Sequence, residues 1–389
     1  MERKLEYSAL TARVGGAGAD AWVTHYQALA ARGRGEDVII LSVGDPDIDT
    51  PGPVIDSAVA AIRGGATHYE PLAGRNALRQ AIAHRHRLRT GQAVGVDNTI
   101  FLAGAQNALF CASLCLAGPG DEVLTCEPVY PTYRATIEAS GARLVRVPAA
   151  GGFHVDVAAL AAAVTPRTRA IFLATPNNPS GAIISEADMA VIGDIAEAHS
   201  LWIVADEVYA GLAPGGRVPG LATRLPGQVV TISSLSKSHA MTGWRAGWLV
   251  GPAALIAHAE SLVLAMLFGL PGFIMEAALT ALQMADVAEA RTREYCAARR
   301  DIMLGALAGA RGLDCHVPDA GMFTLIDVSA TGLSGAAFVQ QLYAAERVSV
   351  LDGAMFGAAT RSHVRLCFAA EPATLQEAGL RIQRFVNRH

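Results

Sequence analysis

The stretch SSLSKSHAMTGWR, residues 233 to 245, holds one of only two lysines in the chain; the other is Lys4, and arginine supplies the rest of the 31 Lys and Arg residues. Arginine carries charge as well as lysine does but stays protonated, whereas a lysine can shed its proton and attack a carbonyl as an amine. A lysine kept at 237 suits a position that needs an amine rather than a charge, although on its own it fits a surface residue equally well. Ser234 and Ser236 place two hydroxyls just before it and Arg245 follows, a set suited to holding a phosphate. Earlier in the chain, AGAQNALF follows an apolar run and opens a helical pattern, so the backbone N–H groups of Gly104, Ala105 and Gln106 point outward at the positive end of a helix dipole. That is either a phosphate seat or an ordinary small-residue turn. ADEVY delivers Asp206 at the end of another apolar run, and TPNNPSG leaves Asn177 and Asn178 in a turn built from Pro176, Pro179 and Gly181.

Each motif has a dull explanation alone, but jointly they describe one ligand. A phosphorylated aromatic aldehyde needs an amine for its aldehyde, a carboxylate for its pyridinium nitrogen and a cluster of donors for its phosphate.

The elements that position these residues are strands. TIFLAG (99 to 104), EVLTCEP (122 to 128), RAIFLATP from Arg169, LWIVADE from Leu201 and VVTISS from Val229 read as strands, separated by helical patterns at QNALFCASLCL, near 131 to 140 and from Ser185. Ser185 followed by Asp188 resembles a helix cap. Strands and helices in turn predict an α/β fold with a mostly parallel sheet covered on both faces, whose ligands sit beyond the carboxyl ends of the strands. From about Ala285 the chain changes to a long charged helix, two strands (MFTLIDV and HVRLCF) and a final helix from about Ala373. The expected division is a large domain over 45–285 and a smaller α+β domain made of 1–44 and 286–389. HRHRLR, His84 to Arg89, reads as the solvated face of a helix.

Composition narrows the classes. The 389 residues are 52% hydrophobic and 17% charged, enough to bury a sizeable core, and the net charge of −4 lacks the basic excess that nucleic-acid binding uses. No nucleic-acid partner is expected. The start MERKLEYSAL has no apolar signal core, and LVLAMLFGLPGFIM (Leu262 to Met275) is interrupted by Gly269 and Pro271-Gly272 before reaching membrane-spanning length, so a soluble cytoplasmic protein with no membrane partner is expected. The six cysteines form no C-x-x-C pair and no cluster with histidine, which predicts no metal site. The glycines of VGGAGAD follow no predicted strand, which sets a nicotinamide dehydrogenase aside.

From LSVGDPDIDTP to HVRLCFAA, nearly the whole chain resembles the class I (fold type I) pyridoxal-phosphate aminotransferases, most specifically at GDPDIDTP, THYEPLAGRNALR, DEVLTCEPVYPTY, TPNNPSG, ADEVY and SLSKSHAMTGWRAGW. The resemblance implies pyridoxal 5'-phosphate as cofactor, small amino and keto acids as substrates, and a homodimer with active sites at its interface. It implies that Lys237 bonds covalently to the cofactor aldehyde and serves as general base, and that Asp206 holds the ring nitrogen protonated. Asn178 and Tyr209 would then bond the ring hydroxyl oxygen, and Tyr130 would stack on the ring. Gly104, Ala105, Gln106, Ser234, Ser236 and Arg245 would hold the phosphate, with Tyr69 reaching in from the other subunit. Arg365 would clamp the substrate carboxylate, aided by backbone at Gly44; alternation in HVRLCF sets Arg365 opposite Val364 and Leu366. Members preferring aspartate tend to carry a lysine where this chain has Gln106, and much of the chain is similar to the arginine–pyruvate transaminases. A basic or neutral amino donor with pyruvate as acceptor is therefore expected, the alternatives being an aspartate-type enzyme using 2-oxoglutarate or a C–S β-lyase on the same fold.

Overall fold

Short apolar runs bounded by turn residues become the strands of the protein. The computed structural model describes residues 5–15 and 22–388, so Lys4 and Gly16 to Asp20 of the glycine-rich stretch lie outside it. The strands are β1 (Ile39–Ile40), β2 (Thr99–Ala103), β3 (Glu122–Cys126), β4 (Arg143–Val147), β5 (Thr168–Ala174), β6 (Trp202–Asp206), β7 (Val229–Ser234) and β8 (Ala246–Val250). They continue with β9 (Asp314–Cys315), β10 (Phe323–Asp327), β11 (Val348–Ser349), β12 (Leu351–Asp352) and β13 (His363–Cys367).

A seven-stranded sheet runs in the order β2-β8-β7-β6-β5-β3-β4. Strands β4, β3, β5, β6 and β7 pair in parallel, while β8 is antiparallel to both of its neighbours. Along β5, Ala170 and Phe172 face one apolar layer and Ile171 and Leu173 the other. That two-sided burial is why these strands read as continuous apolar runs. Each such fully buried aliphatic or aromatic side chain contributes roughly 1.5–3 kcal/mol. Ser185 caps the helix Glu186–Ala198 by accepting from the Asp188 N–H at 3.0 Å. Register brings the chemistry together: Ala174 lies beside Asp206, and Ser234 beside Gly247.

The C-terminal residues build a four-stranded antiparallel sheet, β12-β13-β10-β9. The segment before residue 45 joins them, since β1 pairs with β11 and Ile39 and Leu41 share a core with Met303, Phe338 and Leu366. Tyr209 and Leu212, from just beyond β6, enter that same core. Among the described residues no helix is long and apolar enough to cross a membrane. The apolar run from Leu262 divides at Gly269 into the helices Ala253–Met266 and Gly272–Gln283.

The stretch HRHRLR is a solvated face only in part: His84, Arg87 and Leu88 are exposed, and the other three residues turn inward. It lies in the helix Asn76–Thr90, where His86 is buried and bonds Gln92 at 2.7 Å. Arg85 and Arg89 both pair with Glu289, itself 3% exposed, at the start of the helix Ala285–Leu307. In the central sheet β4 and β8 go beyond what the sequence patterns indicate, as do the two-residue strands β1, β9, β11 and β12 elsewhere.

Candidate active site

The carboxyl ends of β5, β6 and β7 and the start of the helix Gly104–Leu116 surround a cavity of about 180 Å3. Ala105, Gln106, Tyr130, Asn178, Asp206, Tyr209, Ser234, Ser236, Lys237 and Arg245 all line it, together with Tyr133 and Thr242. The Lys237 amine donates to the carbonyl of Gly44. Burial disfavours its charged form and pushes its pKa down to about 8. Gly44 has no room for a side chain, because a Cβ there would lie 2.4 Å from the Phe323 ring.

Asp206 ends β6 inside the cavity, where burial pushes its carboxyl above the usual range. Two donors oppose that push: the Tyr133 hydroxyl, 2.7 Å from Oδ2, and the Val208 N–H, 3.2 Å from Oδ1. Tyr133 is 2% exposed, and nothing in the sequence reading singles it out. Its one cue is its place three residues after Tyr130, which brings the two rings into an edge contact at 6.1 Å.

One corner of the cavity holds hydrogen-bond donors and no carboxylate. Gly104 takes φ +79°, and a Cβ there would lie 2.5 Å from Nη2 of Arg245; a Cβ on Gly247 would lie 2.5 Å from the Gly104 carbonyl carbon. Both glycines are therefore required for β8 and the helix start to approach this closely. The first N–H groups of the helix have no partner within it. Ser234 and Ser236 are buried beside them, and Arg245 is anchored through Nη1 to the Thr242 carbonyl at 2.8 Å. The Gln106 side chain turns toward the neighbouring helix, Thr132–Ala139, accepting from the Thr132 hydroxyl at 2.8 Å and donating to that of Thr136 at 2.9 Å. Its backbone N–H stays at the start of the helix, facing the cavity corner.

Arg365, on β13, is 2% exposed and has no carboxylate partner among the described residues. Nη1 donates to Oδ1 of Asn178 at 2.9 Å and Nη2 to the Ser42 carbonyl at 2.6 Å, while Nε has no partner among the described residues. The guanidinium lies 4.1 Å from the centre of the Phe323 ring. Burial lowers its pKa, the direction expected of a cation lacking an anion. Asn177, by contrast, is structural: its Nδ2 donates to the Pro128 carbonyl at 3.0 Å and its Oδ1 accepts from Ser180. Tyr69 is not at this cavity; it is 83% exposed and packs on Phe268 at 4.8 Å.

The family profile for aminotransferase class I and II matches residues 36–382. The chain belongs to that family. The arginine–pyruvate transaminase AruH of Pseudomonas aeruginosa is 47% identical over 97% of each chain. An aspartate aminotransferase of Rhizobium meliloti is 32% identical over 93% of this chain and 92% of its own. The solved aspartate aminotransferase of Thermus thermophilus (a single mutant) superposes with a TM-score of 0.92 at 30% identity, covering 98% of this chain and all of that one.

This aminotransferase thus has the fold type I architecture, and its cofactor is pyridoxal phosphate. Its own residues fit that group: an all-donor corner for a phosphate, a carboxylate held by a phenol for a ring nitrogen, and an amine of lowered pKa for an aldehyde. Its substrates are small amino and keto acids.

Proposed function

We propose that this aminotransferase takes the amino group of a basic or neutral L-amino acid, arginine foremost, and passes it to pyruvate. The observation that carries this is the 47% identity to a transaminase named for arginine and pyruvate, over nearly the full length of both chains. The state of Gln106 supports it: the amide is uncharged, and Thr132 and Thr136 hold both of its ends, so it offers no cation to a second carboxylate. A donor panel with pyruvate tests the reading. L-Arginine or a neutral amino acid should be the best donor; strong preference for aspartate with 2-oxoglutarate would select the activity in the names of several relatives of 31–33% identity, and ammonia release without amino exchange would select a lyase.

Bound pyridoxal phosphate supplies the aldehyde carbon and an electron sink for the substrate α-carbon. Lys237 would hold that group through its aldehyde, and its Nζ, when free, would take the substrate α-proton. A pKa near 8 suits that base, since the amine is partly neutral at physiological pH. Asp206, oriented by Tyr133, would hold the ring nitrogen protonated. Asn178 and Tyr209 would bond the ring oxygen, and Tyr130 would stack on the ring. Gly104, Ala105 and Gln106, through backbone N–H groups, would join Ser234, Ser236 and Arg245 in holding the phosphate. Arg365 takes the substrate carboxylate as a fork beside Gly44. The site then lies where the 45–285 body meets the body formed by 1–44 and 286–389, and Tyr69 serves the active site of a second subunit.

A further inference from the structure

Glu127 is 9% exposed, and its carboxylate has no cation partner among the described residues. A buried carboxylate without a cation is tolerated where N–H donors surround it. Here Oε2 accepts from the N–H groups of Ala358, at 3.0 Å, and Ala359, at 3.2 Å. Gly357 closes around the acid: its φ is +141°, and a Cβ there would lie 2.5 Å from Cδ of Glu127.

These bonds join two walls of the site. Glu127 follows β3 and precedes Tyr130, and the Val129 N–H between them donates to the Phe356 carbonyl at 2.7 Å. Phe356 is fully buried, with its ring centre 5.2 Å from the guanidinium carbon of Arg365. A guanidinium meets a carboxylate as a planar fork, so its tilt decides whether two bonds form or one.

We infer that Glu127 is a positioning residue for the carboxylate seat at Arg365, fastening the 353–360 segment and its Phe356 to the strand end that carries Tyr130. The inference rests on the proposed role of Arg365. Amino donor and keto acceptor share the carboxylate that Arg365 would hold, so loosening Phe356 weakens the binding of both while leaving the reacting atoms untouched.

Steady-state kinetics of the holoenzyme with L-arginine and pyruvate, or with the donor the panel selects, tests this in Glu127→Gln and Gly357→Ala. Both variants should raise KM for donor and for keto acid by on the order of tenfold with kcat within about twofold, and keep the visible absorbance of bound cofactor. In an Arg365→Ala background, Glu127→Gln should add no further increase. Unchanged KM in both variants, a parallel collapse of kcat and absorbance, or full additivity with Arg365→Ala would each overturn the inference. Arg365→Ala distinguishes the layers: unchanged KM in that variant sinks the carboxylate seat itself, whereas raised KM there with silent Glu127 and Gly357 variants sinks only the role of Glu127.

Discussion

A lysine amine in water is almost wholly protonated at pH 7, with fewer than about one in a thousand neutral. Burial pushes Lys237 down to about 8, which leaves roughly a tenth of the amine neutral at that pH. The sign matters for cofactor capture, because only the neutral amine attacks an aldehyde. Apoenzyme mixed with pyridoxal phosphate should gain visible absorbance at a rate that climbs about tenfold per pH unit up to about pH 8 and then levels off. A rate still climbing at pH 10 would mean that the amine behaves as an ordinary solvated lysine. Lys237→Arg should keep the fold and gain no such absorbance. Lys237 and Asp206 are legible in sequence because each is an unusual type for its place: a lone internal lysine, and an acid ending an apolar strand. Tyr133 and Glu127 are not, since tyrosine and glutamate are unremarked at those positions and the groups they hold lie 73 and 231 residues away.

At the scale of elements, apolar runs and capping residues disclosed most of the central sheet, because a strand buried on both faces needs an uninterrupted apolar run. Two strands escaped. β4, RLVRV, is the sheet's edge and exposes both arginines, so its pattern is that of a half-solvated segment. β8, AGWLV, follows the lysine loop directly, and its glycine meets the start of the Gly104–Leu116 helix, a requirement invisible without that neighbour. Two arginines of HRHRLR, Arg85 and Arg89, turn inward for the same reason: their shared partner, Glu289, lies two hundred residues on. That pairing predicts a stability effect. Glu289→Ala leaves Arg89, whose side chain is 15% exposed, without its carboxylate and Arg85, 16% exposed, with Asp286 alone. The expected cost is about 3 kcal/mol, and Glu289→Gln should recover part of it. Urea unfolding measures it, and an unchanged midpoint would show that water replaces the carboxylate freely.

For the whole molecule, the residue left over is the informative one. Tyr69 is exposed beside Phe268, itself 53% exposed, with Leu267 at 41% on the same turn, at the rim of a depression lined by residues 67–70 and 267–273. A contiguous apolar patch of that kind marks a contact surface. If a second copy covers it, the protein sediments at twice the 40.5 kDa of one chain. Tyr69 then completes the partner's phosphate seat, not its own. Mixed dimers separate those two cases. A Lys237→Arg chain retains Tyr69, and a Tyr69→Phe chain retains Lys237, so a hybrid of the two contains one site with both residues native. Hybrids should show tighter cofactor binding and higher activity than the Tyr69→Phe parent at equal concentration of intact Lys237. No gain on mixing, with hybrid formation confirmed by native mass spectrometry, would place Tyr69 outside any active site and leave its exposure to be explained by the surface alone.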